Sequence, residues 1–531
     1  MLSDLAAPAL VLVGPGVDVG PVPEGVTCAG LGDPPAGGEG SWTSVLLAVA
    51  DETALREAVS VLPPLGRARH VSCALTVAAG PVTTVLRPEW PPLANLVAET
   101  PDGGALTRLT FRRPAPVAPV LVELARHTGS PVGTGNHGLV VAGDVRLPLD
   151  PTVVTDEVPA AVVVGSGGPL PDSEVLGRPP VSVDPGLGPL DEALLNPVGF
   201  RRDWDRGPVP LPTGEPTPAM VAAVRDAQAV VVPAGADPRT VAGLAMAGVP
   251  LVGAGFGEPD VADPLRREEH SVRLRRAALR EHSSLGWRQR TGAAAGVRVA
   301  SYPSVSVLLA TRRPEQLGFA LDQVARQRGV EHLELVLATH GFEADAGEVR
   351  ERLGDRPVTV LPTAPDAVFG DVLRAATDAA AGDVVVKMDD DDWYGPDVVA
   401  DLLLARHYTG AELVGMPAEL VYLEPIRTTV RRRGPSENFG AVVAGGTMCL
   451  DRGLLRAVGG FRPVPRHVDA RLLEDVRAAG GRVYRTHGLG YVLRRTSGGH
   501  TWDTGLGYFL TRQSLAAQWR GFRPSELLED G

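Results

Sequence analysis

The sequence predicts an α/β protein with mostly parallel sheets: a sharply patterned C-terminal domain preceded by a weaker N-terminal α/β region. Three observations carry this. Short apolar runs such as AVVVPA (229–234), SVSVLLAT (304–311) and LELVLATH (333–340) alternate with amphipathic stretches. Asp-Pro pairs at 237–238 and 263–264 mark helix starts, with Asp as N-cap and Pro at the first helical position. Glycines such as Gly248 stop the helices, and the resulting β–α–β spacing implies strands that run parallel.

In order along the chain, 8–14 (PALVLVG), 45–50 (VLLAVA) and 138–142 (GLVVA) read as strands, and 151–215 is too rich in Pro and Gly to assign. TPAMVAAVRDAQ from 217 is a short helix, followed by the strand AVVVPA, a helix from Pro238 to Ala247 and the strand VPLVGAG (249–255). The helix opening at Asp263-Pro264 has eight arginines with Glu268, Glu269 and Glu281 interspersed, and reads as a solvated helix bridging two domains. A linker ends near 303. Beyond it lie the strand SVSVLLAT, the helix PEQLGFALDQVARQ, the strands LELVLATH and DRPVTVLP, the helix DAVFGDVLRAATDAAAG and the strand DVVVKM. The expected domains are 1–150, 151–297 and 298–531.

Bulk properties narrow the function. With 44% hydrophobic and 21% charged residues the composition is that of a globular protein. A net charge of −12 argues against nucleic acid as a partner. Cys28, Cys73 and Cys449 are odd in number and widely spaced, which indicates neither a disulfide framework nor a zinc site and fits a reducing, cytoplasmic compartment. No apolar run reaches the roughly 18–20 residues of a membrane span, and the N-terminus lacks a basic leader. Peripheral membrane association remains compatible with this composition.

The chemistry concentrates in VVVKMDDDDWYGPDVV (384–399). Four consecutive carboxylates about 3.3 Å apart along an extended chain repel one another unless a cation sits among them. They follow an apolar strand, and ligands of parallel sheets collect at the carboxyl ends of strands. In an extended chain Asp389 and Asp391 share a face, so they can bind Mg²⁺ or Mn²⁺ and leave coordination positions for a substrate diphosphate. The plain structural alternative is an acidic turn capping the next helix, with Asp392 as the cap.

Residues 303–531 resemble glycosyltransferase family 2, which has the GT-A fold, a Rossmann-like, mostly parallel sheet. The resemblance rests on four segments in order: PSVSVLLATRRPEQL, GDVVVKMDDDDWYGPDVV, GGTMCLDRGLLRAVGGFR and HVDARLLEDVRAAGGRVYRT. It implies a metal-dependent transfer, inverting at the sugar, from a nucleotide-diphosphate sugar donor to a hydroxyl of a glycan, lipid-linked or small-molecule acceptor. By the same resemblance Asp389 and Asp391 occupy the DxD positions that hold the metal, and His500 stands where some members place a further metal ligand, or is an exposed loop residue. Thr311, Arg312, Asp389 and Asp390 are the expected nucleotide contacts, with Arg312 or Arg313 as a surface alternative. Asp469 takes the place of the general base, or caps its helix, or both. Lys387 neutralises phosphate or balances the aspartates.

The sequence departs from the family in two places. The second strand ends Thr339-His340-Gly341 instead of the acidic turn that recognises the base, and Val468 replaces the usual glutamate before Asp469. Residues 217–290 faintly resemble the end of a GT-B glycosyltransferase through GLAMAGVPLVGAG, but Gly235 and Gly243 stand where that pattern has donor-gripping glutamates. That resemblance implies a degenerate GT-B-like region without a donor grip. Two alternatives are a nucleotidyltransferase, although ATRRPEQLG lacks the glycines of a triphosphate loop, and a non-catalytic glycan- or nucleotide-binding protein.

Overall fold

The computed structural model describes residues 2, 5–31, 42–51, 54–55, 58–59, 62, 65–77, 90–91, 93–99, 104–127, 139–142, 145–148, 161–164, 181–183, 187, 189–294, 303–496 and 505–529. The α/β class and its parallel sheets are as the sequence predicts. The chain forms two compact units: 1–188 with 288–300, and 189–287 with 301–531. Residues 189–287, which the sequence reading set apart from 298–531, thus pack with the C-terminal residues.

The first unit has a six-stranded sheet in the order Val26–Gly30, Ala9–Val13, Trp42–Val49, Arg67–Leu75, Ala105–Pro116, Leu93–Glu99. Its first three pairings are parallel and the last two antiparallel. Leu10, Leu12, Val45, Leu47 and Phe111 are fully buried between its layers. A four-stranded sheet contains Leu139–Ala142.

In the second unit, residues 189–287 supply the parallel strands Val209–Pro210, Val230–Val232 and Leu251–Gly253 and three helices, Pro218–Val224, Pro238–Met246 and Pro264–His282. Asp237 and Asp263 cap two of these helices as expected, each accepting two backbone N–H groups. A Cβ on Gly243 would lie 2.4 Å from Pro216, so no longer side chain fits there.

Residues 301–531 form an eight-stranded sheet, ordered Val358–Thr363, Leu333–His340, Val305–Thr311, Val384–Met388, Cys449–Asp451, Leu413–Gly415, Val483–Arg485, Asn438–Gly440. The first four strands run parallel. Val384–Met388 is buried along its whole length at the centre, which explains why all but Lys387 are apolar. Beside it lies a five-stranded sheet that includes Trp393–Tyr394 and Tyr491–Arg495.

The helix Pro264–His282 corrects the sequence reading. It is not solvated: Arg267, Glu268, Glu269, Arg275 and Arg276 are all buried. Its charges are paired with residues far along the chain. Arg276 donates to Asp397 at 2.8 Å and to both oxygens of Asp401 at 2.8 and 2.7 Å. Arg275 pairs with Glu437, and Glu268 accepts from Arg431 at 2.6 Å. Asp401 and Asp397 lie on or just before the helix Val398–Thr409, which follows the aspartate run.

Burial opposes ionisation of Asp401, but Arg276 and His487 outweigh it and hold its pKa below the ordinary carboxylate range. A depressed pKa adds stability that is complete above the unfolded carboxylate pKa and lost as pH falls through the folded one. Arg276→Ala is expected to destabilise this unit by about 3–5 kcal/mol, because it strands buried carboxylates. Urea denaturation at neutral pH checks this, and an unchanged midpoint contradicts the pairing as a support of the fold.

Candidate active site

The strands Val305–Thr311 and Val384–Met388 lie side by side and parallel, so Thr311 and the residues after Met388 meet at their carboxyl ends. Beyond Met388 the chain leaves the strand and bends at 390–392. The alternation expected of an extended chain therefore stops, and the four aspartates turn to three sets of partners.

Asp389 faces Lys387 and Asp469. The Lys387 ammonium, 3% exposed, lies 2.6 Å from Asp389 Oδ1 and 3.3 Å from Asp469 Oδ1. Burial works against that charge, but Asp389 and Asp469 prevail and raise the Lys387 pKa above its ordinary value. Lys387 therefore balances carboxylates from beneath. Asp390 and Asp391 share Arg313, which lies 3.1 Å through Nε from Asp390 Oδ2 and 2.9 Å through a terminal nitrogen from Asp391 Oδ2. The Thr311 hydroxyl also donates to Asp390. Asp392 is not a helix cap: it accepts from the Tyr491 hydroxyl and, at 2.8 Å, from the Arg494 N–H. The next helix begins after Asp397, whose side chain makes no capping bond.

Exposure separates these groups. The Asp389 and Asp469 side chains are each 34% open to solvent, against 8% for Asp390 and 12% for Asp391. Asp389 is thus the most open of the four aspartates, and Asp469 is as open overall although its Oδ1 is shut off from solvent.

Both are seated by groups whose role the sequence reading missed. The Asp389 N–H donates to the Tyr394 hydroxyl at 2.8 Å, and that hydroxyl donates to the Gly446 carbonyl at 2.9 Å. A Cβ on Gly445 would lie 2.0 Å from Asp469 Oδ2, and one on Gly446 would lie 2.9 Å from Asp389 Oδ2. Two successive glycines thus form a cradle that any larger residue would fill. The only signals were the paired glycines of GGTMCLD and the aromatic pair Trp393-Tyr394, and neither has meaning until its partner is known.

Asp469 lies in the first turn of the helix Val468–Ala478, whose N-cap is His467, so Asp469 is not the cap. Its pKa is raised, first by burial and then by Asp389, with Lys387 acting in the opposite direction. Burial, and then Asp391 and Asp389, push Asp392 well above the usual carboxylate range. Asp391 is raised by burial, with Arg313 opposing and Asp389 adding.

Of the other expected site residues, Thr311 is buried against Asp390, while Arg312 is exposed and its neighbour Arg313 reaches the aspartates. His500 lies outside the described residues. His340 ends its strand with a buried Nε2 that has no hydrogen-bond partner, beside an equally unpartnered Thr339 hydroxyl. Among the described residues no group of three His, Cys, Asp or Glu side chains is placed to hold a metal. No helix among them is long and apolar enough to cross a membrane.

The chain matches no family model and no curated protein. Among solved structures it is similar to the mannosyltransferase PcManGT from Pyrobaculum calidifontis in complex with GDP-Man and Mn²⁺, with 16% identity and a TM-score of 0.30 over 38% of this chain and 59% of that one. It is similar to S. aureus TarS 1–349 in complex with UDP-GlcNAc, with 14% identity and a TM-score of 0.31 over 38% of this chain and 62% of that one. A third similar structure is GalNAc-T7 with UDP, GalNAc and Mn²⁺, with 12% identity and a TM-score of 0.30 over 37% of this chain and 44% of that one. In each case the chain spans less than two thirds of the other protein.

Proposed function

We propose that residues 301–531, supported by 189–287, move a sugar from a nucleotide-diphosphate donor to an acceptor hydroxyl, with inversion and with the help of a divalent cation. The observation that carries this reading is the pair of solvent-facing carboxylates, Asp389 and Asp469, bridged by a buried lysine at the carboxyl end of a parallel sheet.

The charge balance fits a cation. Among the described residues, Asp389, Asp390, Asp391, Asp392 and Asp469 face the cationic side chains Lys387 and Arg313, while the nearby Arg494 is paired with Glu424. With every group ionised, five negative charges against two positive leave a surplus of three, and the upward shifts of Asp391, Asp392 and Asp469 come first from burial, with the neighbouring carboxylates adding to it. Asp389 and Asp391 would hold Mn²⁺ or Mg²⁺. A hard cation held by two carboxylates takes its remaining positions from phosphate oxygens and water. When bound, the cation neutralises the departing nucleoside diphosphate.

The chain's own residues do the rest. Asp469 accepts the proton of the attacking hydroxyl, and its raised pKa makes it a stronger base than an ordinary carboxylate. Lys387 holds it in place, and the absence of a side chain at Gly445 gives it room. Inversion follows from a single displacement with one base opposite the leaving group.

A screen of nucleotide sugars for Mn²⁺-dependent hydrolysis or transfer tests the reading. Activity is expected with at least one donor, and Asp391→Ala is expected to abolish it while the protein stays folded. Undiminished activity in that variant removes the metal role.

A further inference from the structure

We propose that Arg313 holds the place of the divalent cation in the resting site and passes to the donor's diphosphate when the cation arrives. This rests on the sugar-transfer reading above. The guanidinium bridges two buried aspartates, 3.1 Å from Asp390 and 2.9 Å from Asp391, so it competes with a cation for Asp391. An arginine cannot surrender its charge, so a guanidinium held against these carboxylates repels a divalent ion approaching Asp391. The cation binds better if Arg313 moves away.

The structure leaves Arg313 free to do so. Its side chain is 26% exposed against 8% and 12% for the aspartates it covers. Asp390 keeps the Thr311 hydroxyl as a donor when the guanidinium leaves. Arg313 also has somewhere to go. It is the N-cap of the helix Pro314–Ala325, with Pro314 in the first turn and no side-chain capping bond. The positive end of that 12-residue helix therefore lies beside the same residue, where a phosphate would be favoured. A guanidinium fork matches two phosphate oxygens as well as it matches two carboxylates. The exchange would make an incoming diphosphate replace the neutralising contact that the cation takes away.

The test uses the full chain and two probes, Mn²⁺ alone and inorganic pyrophosphate at saturating Mn²⁺. Free Mn²⁺ is read by electron paramagnetic resonance and pyrophosphate binding by calorimetry. Arg313→Gln is expected to bind Mn²⁺ roughly ten-fold tighter and pyrophosphate roughly ten-fold more weakly. Arg313→Lys, which keeps the charge but not the fork, is expected between wild type and Arg313→Gln in both measurements and guards against misfolding of the neutral variant. Opposite signs for the two probes support the exchange. Unchanged or weaker Mn²⁺ binding in both variants overturns it, even where the wild type transfers sugar. A wild type that binds no Mn²⁺ overturns this proposal and the reading beneath it together.

Discussion

Asp469→Asn is expected to lower kcat by roughly 10²–10⁴-fold, the range for loss of a positioned general base, with a smaller change in the donor KM. Asparagine keeps the size and one oxygen, so the cradle at Gly445 and a contact with Lys387 persist while the proton acceptor is lost. The pH profile gives the same residue a second readout. Because burial and Asp389 raise its pKa, the ionised base is lost as pH falls through a range raised above that of a free aspartate. Wild-type kcat should therefore rise with pH along an acidic limb in that range, and Asp469→Asn should flatten the limb. A variant with full kcat, or an unaltered limb, would show that the proton goes elsewhere.

Asp389→Ala is expected to remove transfer altogether and to weaken Mn²⁺ binding by roughly 100-fold or more, since it deletes a charged oxygen donor from a two-carboxylate site. The fold should survive because Asp389 is one third exposed and its backbone N–H keeps the Tyr394 hydroxyl. Lys387, still buried, retains Asp469 as a partner. Measured together, Mn²⁺ affinity and thermal stability separate loss of the ligand from loss of the structure. Retained Mn²⁺ binding with an unchanged melting temperature would place the cation elsewhere.

Much of the second unit was legible in the sequence because its central strands are mostly buried and read as short, largely apolar runs. Val305–Thr311, Leu333–His340 and Val384–Met388 lie where SVSVLLAT, LELVLATH and DVVVKM place them. The Asp-Pro helix starts were legible for a different reason, since cap and first turn are adjacent in sequence. What stayed hidden depends on partners far along the chain. The charges of Pro264–His282 resemble a solvated face until Asp397, Asp401, Arg431 and Glu437 are seen to answer them.

The site divides in the same way. The aspartate run marks the place, but once the strand ends at Met388, alternation no longer says where each carboxylate turns. Arg312 and Arg313 are neighbours in the same turn, and only its geometry decides that the second reaches Asp390. Gly445 and Gly446 acquire a purpose only when Asp469 and Asp389 pack against them.

The most direct measurement is anomalous diffraction from crystals soaked with Mn²⁺ and a nucleoside diphosphate. One strong manganese peak is expected about 2–2.5 Å from an Asp389 carboxylate oxygen, with diphosphate bound beside it. A peak bound away from Asp389 and Asp391, or diphosphate bound in the cleft with no manganese beside these carboxylates, would contradict that expectation.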